Sequence, residues 1–309
     1  MTDSVSDNSK ILLTGVTGQV GSQLLHTLAS FGEIIAPTRQ QMDLADPNSV
    51  RDVIRSLRPR WIVNPGAYTA VDKAESEPDL AQAINTETVA AIGQEAQSIG
   101  AAVLHFSTDY VFSGEGTTPY IETDPTGPTS VYGASKLAGE QALAASGAAH
   151  LIFRTSWVYG ATGKNFLLTI LKLAREREHL RIVADQHGTP TWSRDLARMT
   201  AAVIARCEAQ AQLERKPLTE IVAAVGGIYH AAGSGETTWH GFTSEAIRQM
   251  HEKEPGARFA EIEGISTVEY PTPAKRPANS RLNCEKLNRT FDWTMPVWQH
   301  SLSEVLSEF

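Results

Sequence analysis

A chain of 309 residues can bury a sizeable core, in one large domain or two modest ones. Its 41% hydrophobic and 20% charged content is that of a globular protein, and a formal charge of -8 argues against a nucleic-acid groove or an anionic membrane surface as partner. Cys207 and Cys284 lack metal-ligand spacing and read as free thiols of a reducing compartment. No run approaches the roughly 18 apolar residues of a membrane-spanning helix. The polar start MTDSVSDNSK has neither the basic nor the apolar region of a signal peptide, so a cytoplasmic protein is expected.

From residue 11 to 160, short apolar runs alternate with longer helical patterns, the rhythm of parallel strands joined by crossover helices. The predicted strands are Ile11 to Thr14, Glu33 to Pro37, Trp61 to Asn64, Ala102 to Ser107 and Leu151 to Arg154. Helical spacing runs over Gly18 to Ser30, Pro47 to Leu57, Leu80 to Ser98 and Val131 to Ala145. Asp46 as cap and Pro47 at the first helical position mark the second of these helices. The pattern implies a doubly wound parallel α/β sheet over residues 1–160. Beyond Gly160 the spacing predicts an amphipathic helix at Asn165 to Glu178, a short strand at Arg181 to Ala184 and a turn-rich loop at Gln186 to Trp192. A helix at Ser193 to Gln212 and a strand at Gly227 to Ala231 are placed to return to the sheet, which assigns residues 193–232 to the first domain and the remainder of 161–309 to a smaller lobe. YPTPAKRP, from Tyr270 to Pro277, cannot be regular helix or central strand and is expected to be an ordered loop.

The first chemical signal is ILLTGVTGQVG, which sets Gly15, Gly18 and Gly21 between a strand and the opening of a helix. Glycines there allow a tight turn, close approach of a pyrophosphate and close packing of helix on strand, with the helix N-terminus facing the anion. A bound dinucleotide is the expectation. Many such folds end the second strand on an acidic residue for the ribose 2'-hydroxyl. Here Arg39 occupies that region, which suits a 2'-phosphate and favours NADPH over NADH, with Asp43 and Leu44 toward the adenine end.

The second signal is Tyr132 with Lys136 in VYGASKLAGE. Residues four apart share one helix face, so an ammonium can sit below the phenol and favour its ionised form electrostatically, tuning it for proton exchange. Upstream, HFSTDYVF ends a strand and delivers Thr108 and Asp109 to the carboxyl edge of the sheet, where open α/β proteins bind ligands. The Thr108 hydroxyl there can donate to a substrate carbonyl.

With RTSWVYG following in order, the chain resembles the extended short-chain dehydrogenase/reductase family, and within it the dTDP-4-dehydrorhamnose reductases. The likeness covers nearly the whole chain and includes NPGAYTAVDKAESEP at 64–78, STDYVFSG at 107–114 and YPTPAKRPANSRL at 270–282. It implies a Rossmann sheet with a C-terminal substrate-binding lobe, and reduction of dTDP-4-dehydro-L-rhamnose by NAD(P)H. Gly18, Gln19 and Val20 would line the pyrophosphate, and Ala67, Tyr68 and Thr69 would contact the cofactor. Tyr132 and Lys136 would be the catalytic pair. Thr108, Asp109, Tyr132 and Trp157 would touch the nucleotide-linked sugar, and Arg276 would meet its diphosphate. Some family members dimerise through a magnesium ion held by glutamates, but the matching positions here are Gln23 and Arg194, with only Glu308 retained. An amide and a cation make a poor site for a hard cation, so no metal and a monomer or a differently built dimer are expected.

Two rivals share the fold. A sugar-nucleotide epimerase or dehydratase would carry an acidic residue after the Thr-Asp pair, where this chain has Tyr110. A non-catalytic subunit, such as that of methionine adenosyltransferase, would lose the tyrosine-lysine pair or the cleft tryptophan, and both are intact here.

Overall fold

The computed structural model describes residues 9–309, so most of the polar start lies outside the described residues. Five strands lead the chain: β1 (Lys10–Leu13), β2 (Glu33–Ile35), β3 (Trp61–Asn64), β4 (Ala102–Thr108) and β5 (His150–Thr155). A sixth, Gly227–His230, returns beside β5 and makes the sheet order Gly227–His230, β5, β4, β3, β1, β2, every pairing parallel. Connections run to one side from β1 to β2 and to the other from β3 onward. The crevice between β1 and β3 is therefore the switch point at which such sheets bind ligands.

Alternate residues of each strand enter separate cores. Leu13, Trp61, Leu104 and Phe153 pack with Leu24 of helix α1 (Gln19–Thr27) and with Leu196 and Val203 of the helix Ser193–Glu214. Leu12, Ile62, Val103 and Ile152 pack the opposite face with Val50 and Ile54 of helix α2 (Pro47–Leu57). Burial on both faces is why these strands read as continuous apolar runs. Asp46 caps α2 by accepting from the Asn48 N–H at 2.9 Å, with Pro47 at the first position.

The segment read as one helix from Leu80 to Ser98 is helical throughout, but a π-helical turn at Ala83–Glu87 interrupts it. There the Asn85 amide turns inward, accepting from the Tyr68 N–H at 2.8 Å and donating to Ser135 Oγ at 3.0 Å. Most of the C-terminal part is a second packed unit. Its core gathers Tyr159, Trp192, Phe242, Met250 and Trp298, and a two-stranded parallel ribbon pairs His179–Val183 with Glu261–Ile265. Tyr270 to Pro277 forms no regular element, as its prolines require.

Candidate active site

The turn after β1 is built for close approach. Gly15 has φ +58, and a Cβ there would lie 2.7 Å from Gly66 Cα, so the ends of β1 and β3 can meet only through glycine. A Cβ on Gly21 would lie 2.1 Å from the Gly15 carbonyl oxygen. Gly18 begins α1 with no side-chain cap, which leaves the first N–H groups of the helix free for an anion. Gly15, Gly18, Gln19, Val20 and Gly21 line a cleft of about 530 Å³ together with Leu44, Ala67, Thr69, Thr108, Asp109, Tyr132, Lys136 and Trp157. Most of the residues that sequence reasoning brought together do meet here.

Four do not line this cleft: Arg39, Asp43, Tyr68 and Arg276, the last of which lies in a second cavity. Arg39 lies on the loop after β2 with its side chain 80% exposed, 3.6 Å from the Asp43 carboxylate. Tyr68 directs its hydroxyl away to Glu77 at 2.5 Å, although its ring packs near Tyr132.

Helix Val131–Ala145 presents Tyr132 and Lys136 to the cleft and starts on Ser130, whose side chain accepts from the Gly133 N–H at 3.1 Å. A Cβ on Gly133 would meet the Tyr110 carbonyl oxygen at 2.2 Å, so the glycine lets this helix sit against the end of β4. Lys136 is not among the groups that shift the phenol. Burial instead pushes Tyr132 up to about 12, with the Thr108 hydroxyl pulling the other way. The Lys136 ammonium donates to the Phe106 carbonyl at 2.7 Å and lies 3.2 Å from His105 Nε2, so it is committed to β4. Burial lowers it to about 8, against the opposing pull of Glu140. A phenol that keeps its proton at neutrality is the protonation state needed to donate one.

Thr108 ends β4, accepts from the Tyr110 N–H at 3.2 Å and donates to Asp109 Oδ1 at 3.1 Å. Asp109 is buried, its Oδ2 has no protein partner, and burial raises its carboxyl to about 6 against hydrogen bonds from Ser280 and Thr108.

Trp157 joins this cleft to a second cavity of about 720 Å³. It has φ +48, a conformation that costs a non-glycine residue on the order of 1 kcal/mol or more. That backbone lays its indole on Gly188, where a Cβ would come within 2.5 Å of the ring, and stacks it on Trp239 at a centroid distance of 3.6 Å. The second cavity also holds Asp72, Tyr110, Arg276 and Ser280. Arg276 donates to Asp72 at 2.7 Å, and its Nη1 is buried without a partner, a cation with hydrogen-bonding capacity to spare. Sequence reasoning did not single out Trp239, Asp72 or Ser280: Asp72 and Ser280 lie inside segments noted only for their likeness, and all three meet the site through tertiary packing.

The sequence profile of the RmlD substrate binding domain family matches residues 9–309. The chain belongs to that family. It is 45% identical to the dTDP-4-dehydrorhamnose reductase of Escherichia coli K12 over 96% of this chain and 97% of that one. Among solved structures, the dTDP-4-dehydrorhamnose reductase of Clostridium acetobutylicum superimposes with a TM-score of 0.85 at 33% identity, covering 97% of this chain and 99% of that one. The Bacillus anthracis reductase, crystallised in complex with NADP, also gives 0.85, at 31% identity and 98% and 100% coverage.

In this RmlD-family chain the three positions Gln23, Arg194 and Glu308 also meet. Arg194 contacts Glu308 at 2.5 Å and Gln23 Oε1 at 3.2 Å, with its guanidinium 4.6 Å over the Trp192 ring. Among the described residues no cluster of His, Cys, Asp or Glu is arranged to hold a metal ion, and no helix is long and apolar enough to cross a membrane.

Proposed function

We propose that this protein reduces dTDP-4-dehydro-L-rhamnose to dTDP-L-rhamnose, using NADPH and, less well, NADH. The observation that carries the reading is one cleft that runs from an uncapped glycine turn to a buried tyrosine with a lysine one helical turn behind it. Residues 10–160, with the return through 193–232, form the cofactor half. The remaining C-terminal residues form the sugar-nucleotide half.

The residues fit a dinucleotide, because Gly15, Gly18, Gly21 and Gly66 line the cleft beside the start of α1, where no side chain caps the first N–H groups. Gly18, Gln19, Val20 and Gly21 would hold the pyrophosphate, Leu44 the adenine side, and Ala67 and Thr69 the middle of the molecule. Arg39 and Asp43 lie on a neighbouring exposed loop, from which the guanidinium can swing onto a 2'-phosphate. When bound, the nicotinamide supplies the hydride to C4 of the sugar. Tyr132 gives its proton to the oxygen that becomes the C4 hydroxyl, and the Thr108 hydroxyl donates to the same oxygen. Lys136 holds positive charge close to the phenol as it ionises. Asp109 accepts from a sugar hydroxyl, Trp157 packs on the hexose, and Arg276 meets the diphosphate.

Dehydration would need an acid beside the Thr-Asp pair to expel water. Tyr110 stands there, edge-on to Tyr132 at 5.4 Å, with its own phenol pushed up by burial. An NADPH-oxidation assay with dTDP-4-dehydro-L-rhamnose, and UDP- and GDP-linked ketosugars as controls, tests the reading. Turnover confined to the controls would refute it.

A further inference from the structure

Behind the lysine lies a buried polar chain with no part in the mechanism so far. His105 on β4 is fully buried, its Nε2 3.2 Å from Lys136 Nζ and its Nδ1 3.0 Å from Asn64 Nδ2. Asn64 ends β3 and is also buried, and its Oδ1 lies 2.6 Å from Thr14 Oγ1. Thr14 in turn accepts from the Gly66 N–H at 3.0 Å, and Gly66 lines the cofactor cleft. Four side chains from β4, the helix Val131–Ala145, the end of β3 and the start of the glycine turn thus form one line. Burial, and then the adjacent lysine, keep the imidazole uncharged.

An uncharged imidazole has one hydrogen and one lone pair, so the partner on one side decides what it offers on the other. With Thr14 donating to Asn64 and Asn64 donating to Nδ1, the ring hydrogen is on Nε2 and faces an unprotonated lysine. An asparagine amide turned over exchanges its nitrogen and oxygen. Nδ1–H then donates to Asn64, and Nε2 accepts from the lysine ammonium. The chain has one polarity for each protonation state of Lys136.

We propose that His105 is a positioning residue for the reductase: it accepts a hydrogen bond from the Lys136 ammonium and, through Asn64 and Thr14, fixes the lysine to the turn that cradles the cofactor. With the Phe106 carbonyl it occupies two of the three ammonium hydrogens, and the third is left for the cleft. The charged groups that act on this pair are Glu140 on the lysine's own helix, held by Arg154 of β5, and His150 at the start of β5, while Tyr132 and Asp109 line the same cleft as Lys136. Asn85, from the π-helical turn, reaches the same helix as a neutral amide.

This inference rests on the proposed role of Lys136, so Lys136→Ala is assayed alongside. The test compares His105→Leu, His105→Asn and His105→Gln. A glutamine oxygen can reach the Nε2 position, whereas an asparagine reaches only toward Asn64. Loss of a hydrogen bond to a charged group corresponds to about one pKa unit. Accordingly, the alkaline limb of the kcat pH profile moves down by about one unit in the Leu and Asn variants, with about a tenfold loss of kcat and KM for the sugar nucleotide within twofold. The Gln variant keeps the limb and most of the turnover. In cofactor-free protein, NMR of the Lys136 side chain shows the same downward shift in its titration. Should the Leu variant fail to fold, the comparison of Asn with Gln carries the test.

An alkaline limb and a lysine titration that are unchanged in the Asn variant overturn the inference, as does a Gln variant no better than Asn. If Lys136→Ala keeps wild-type turnover, the role of Lys136 fails and the inference falls with it. If Lys136→Ala is inactive while the His105 variants behave as wild type, the inference alone fails.

Discussion

Glu140→Gln should destabilise the protein severely, although Glu140 makes no contact with the cleft. Arg154 on β5 and Glu140 on the catalytic helix are each 2% exposed and bonded through two N–H groups, at 2.9 and 2.7 Å. The guanidinium also lies 4.9 Å over the Phe112 ring, and its Nη1 already lacks a partner. Glutamine keeps the shape but leaves the cation without its counter-charge, for which a cost of about 3–5 kcal/mol is typical. At a urea slope of roughly 3 kcal/mol/M for a chain of this size, the midpoint falls by about 1–1.7 M. The double variant Glu140→Leu/Arg154→Met removes both charges and should recover most of the loss, because exchanging a buried pair for apolar groups is often neutral. Urea denaturation followed by tryptophan fluorescence measures this. A single variant within about 1 kcal/mol of wild type, or a double variant worse than the single, would show that the pair does not brace the helix.

Tyr132→Phe should lose turnover by about two to four orders of magnitude, the usual contribution of a proton donor, with NADPH binding followed by fluorescence unchanged. Arg39→Ala should raise KM for NADPH about tenfold and leave NADH untouched, since one charge-assisted hydrogen bond is worth about 1.5 kcal/mol; equal effects on both cofactors would remove Arg39 from the 2'-phosphate. Asp109 is raised from 3.8 to about 6 by burial, so its ionised form destabilises the fold above that pH, by at most about 3 kcal/mol, and the penalty is relieved as pH falls toward 4. Asp109→Asn should therefore melt higher than wild type at pH 7.5, with the gain shrinking by pH 5, as read by calorimetry. Arg194 is engaged with Glu308 and Gln23, leaving a cation and an amide beside the one carboxylate, so the oligomeric state measured by light scattering should be the same with and without chelator.

Where a local rule governs, the sequence was a close guide. Asp46 with Pro47 places α2 at its observed bounds, and the helix carrying Tyr132 and Lys136 likewise runs from Val131 to Ala145. Gly227–His230 joins the sheet edge as its apolar run suggested. Long-range contacts account for the rest. Spacing alone shows no π-helical turn at Ala83–Glu87, where Asn85 reaches across to Tyr68 and Ser135. The strand Glu261–Ile265 carries exposed glutamates that blur its pattern, and it exists because His179–Val183 pairs with it. Helix Trp239–Lys253 was legible in principle, since Thr238 caps it and Phe242, Ala246 and Met250 recur at helical spacing, and reading it would have brought Trp239 into view. The electrostatics around the tyrosine were the least legible part. Four-residue spacing puts the phenol and ammonium on one face, but only the tertiary structure shows the lysine bound to β4 and the phenol raised by burial.

The most direct test follows the hydride itself. With NADPH deuterated at the transferable C4 position and dTDP-4-dehydro-L-rhamnose as acceptor, the product examined by mass spectrometry and NMR should be dTDP-L-rhamnose with one deuterium at C4 of the sugar, formed far more slowly by Tyr132→Phe. A product without deuterium at that carbon, or label transferred equally fast by the phenylalanine variant, would contradict the account.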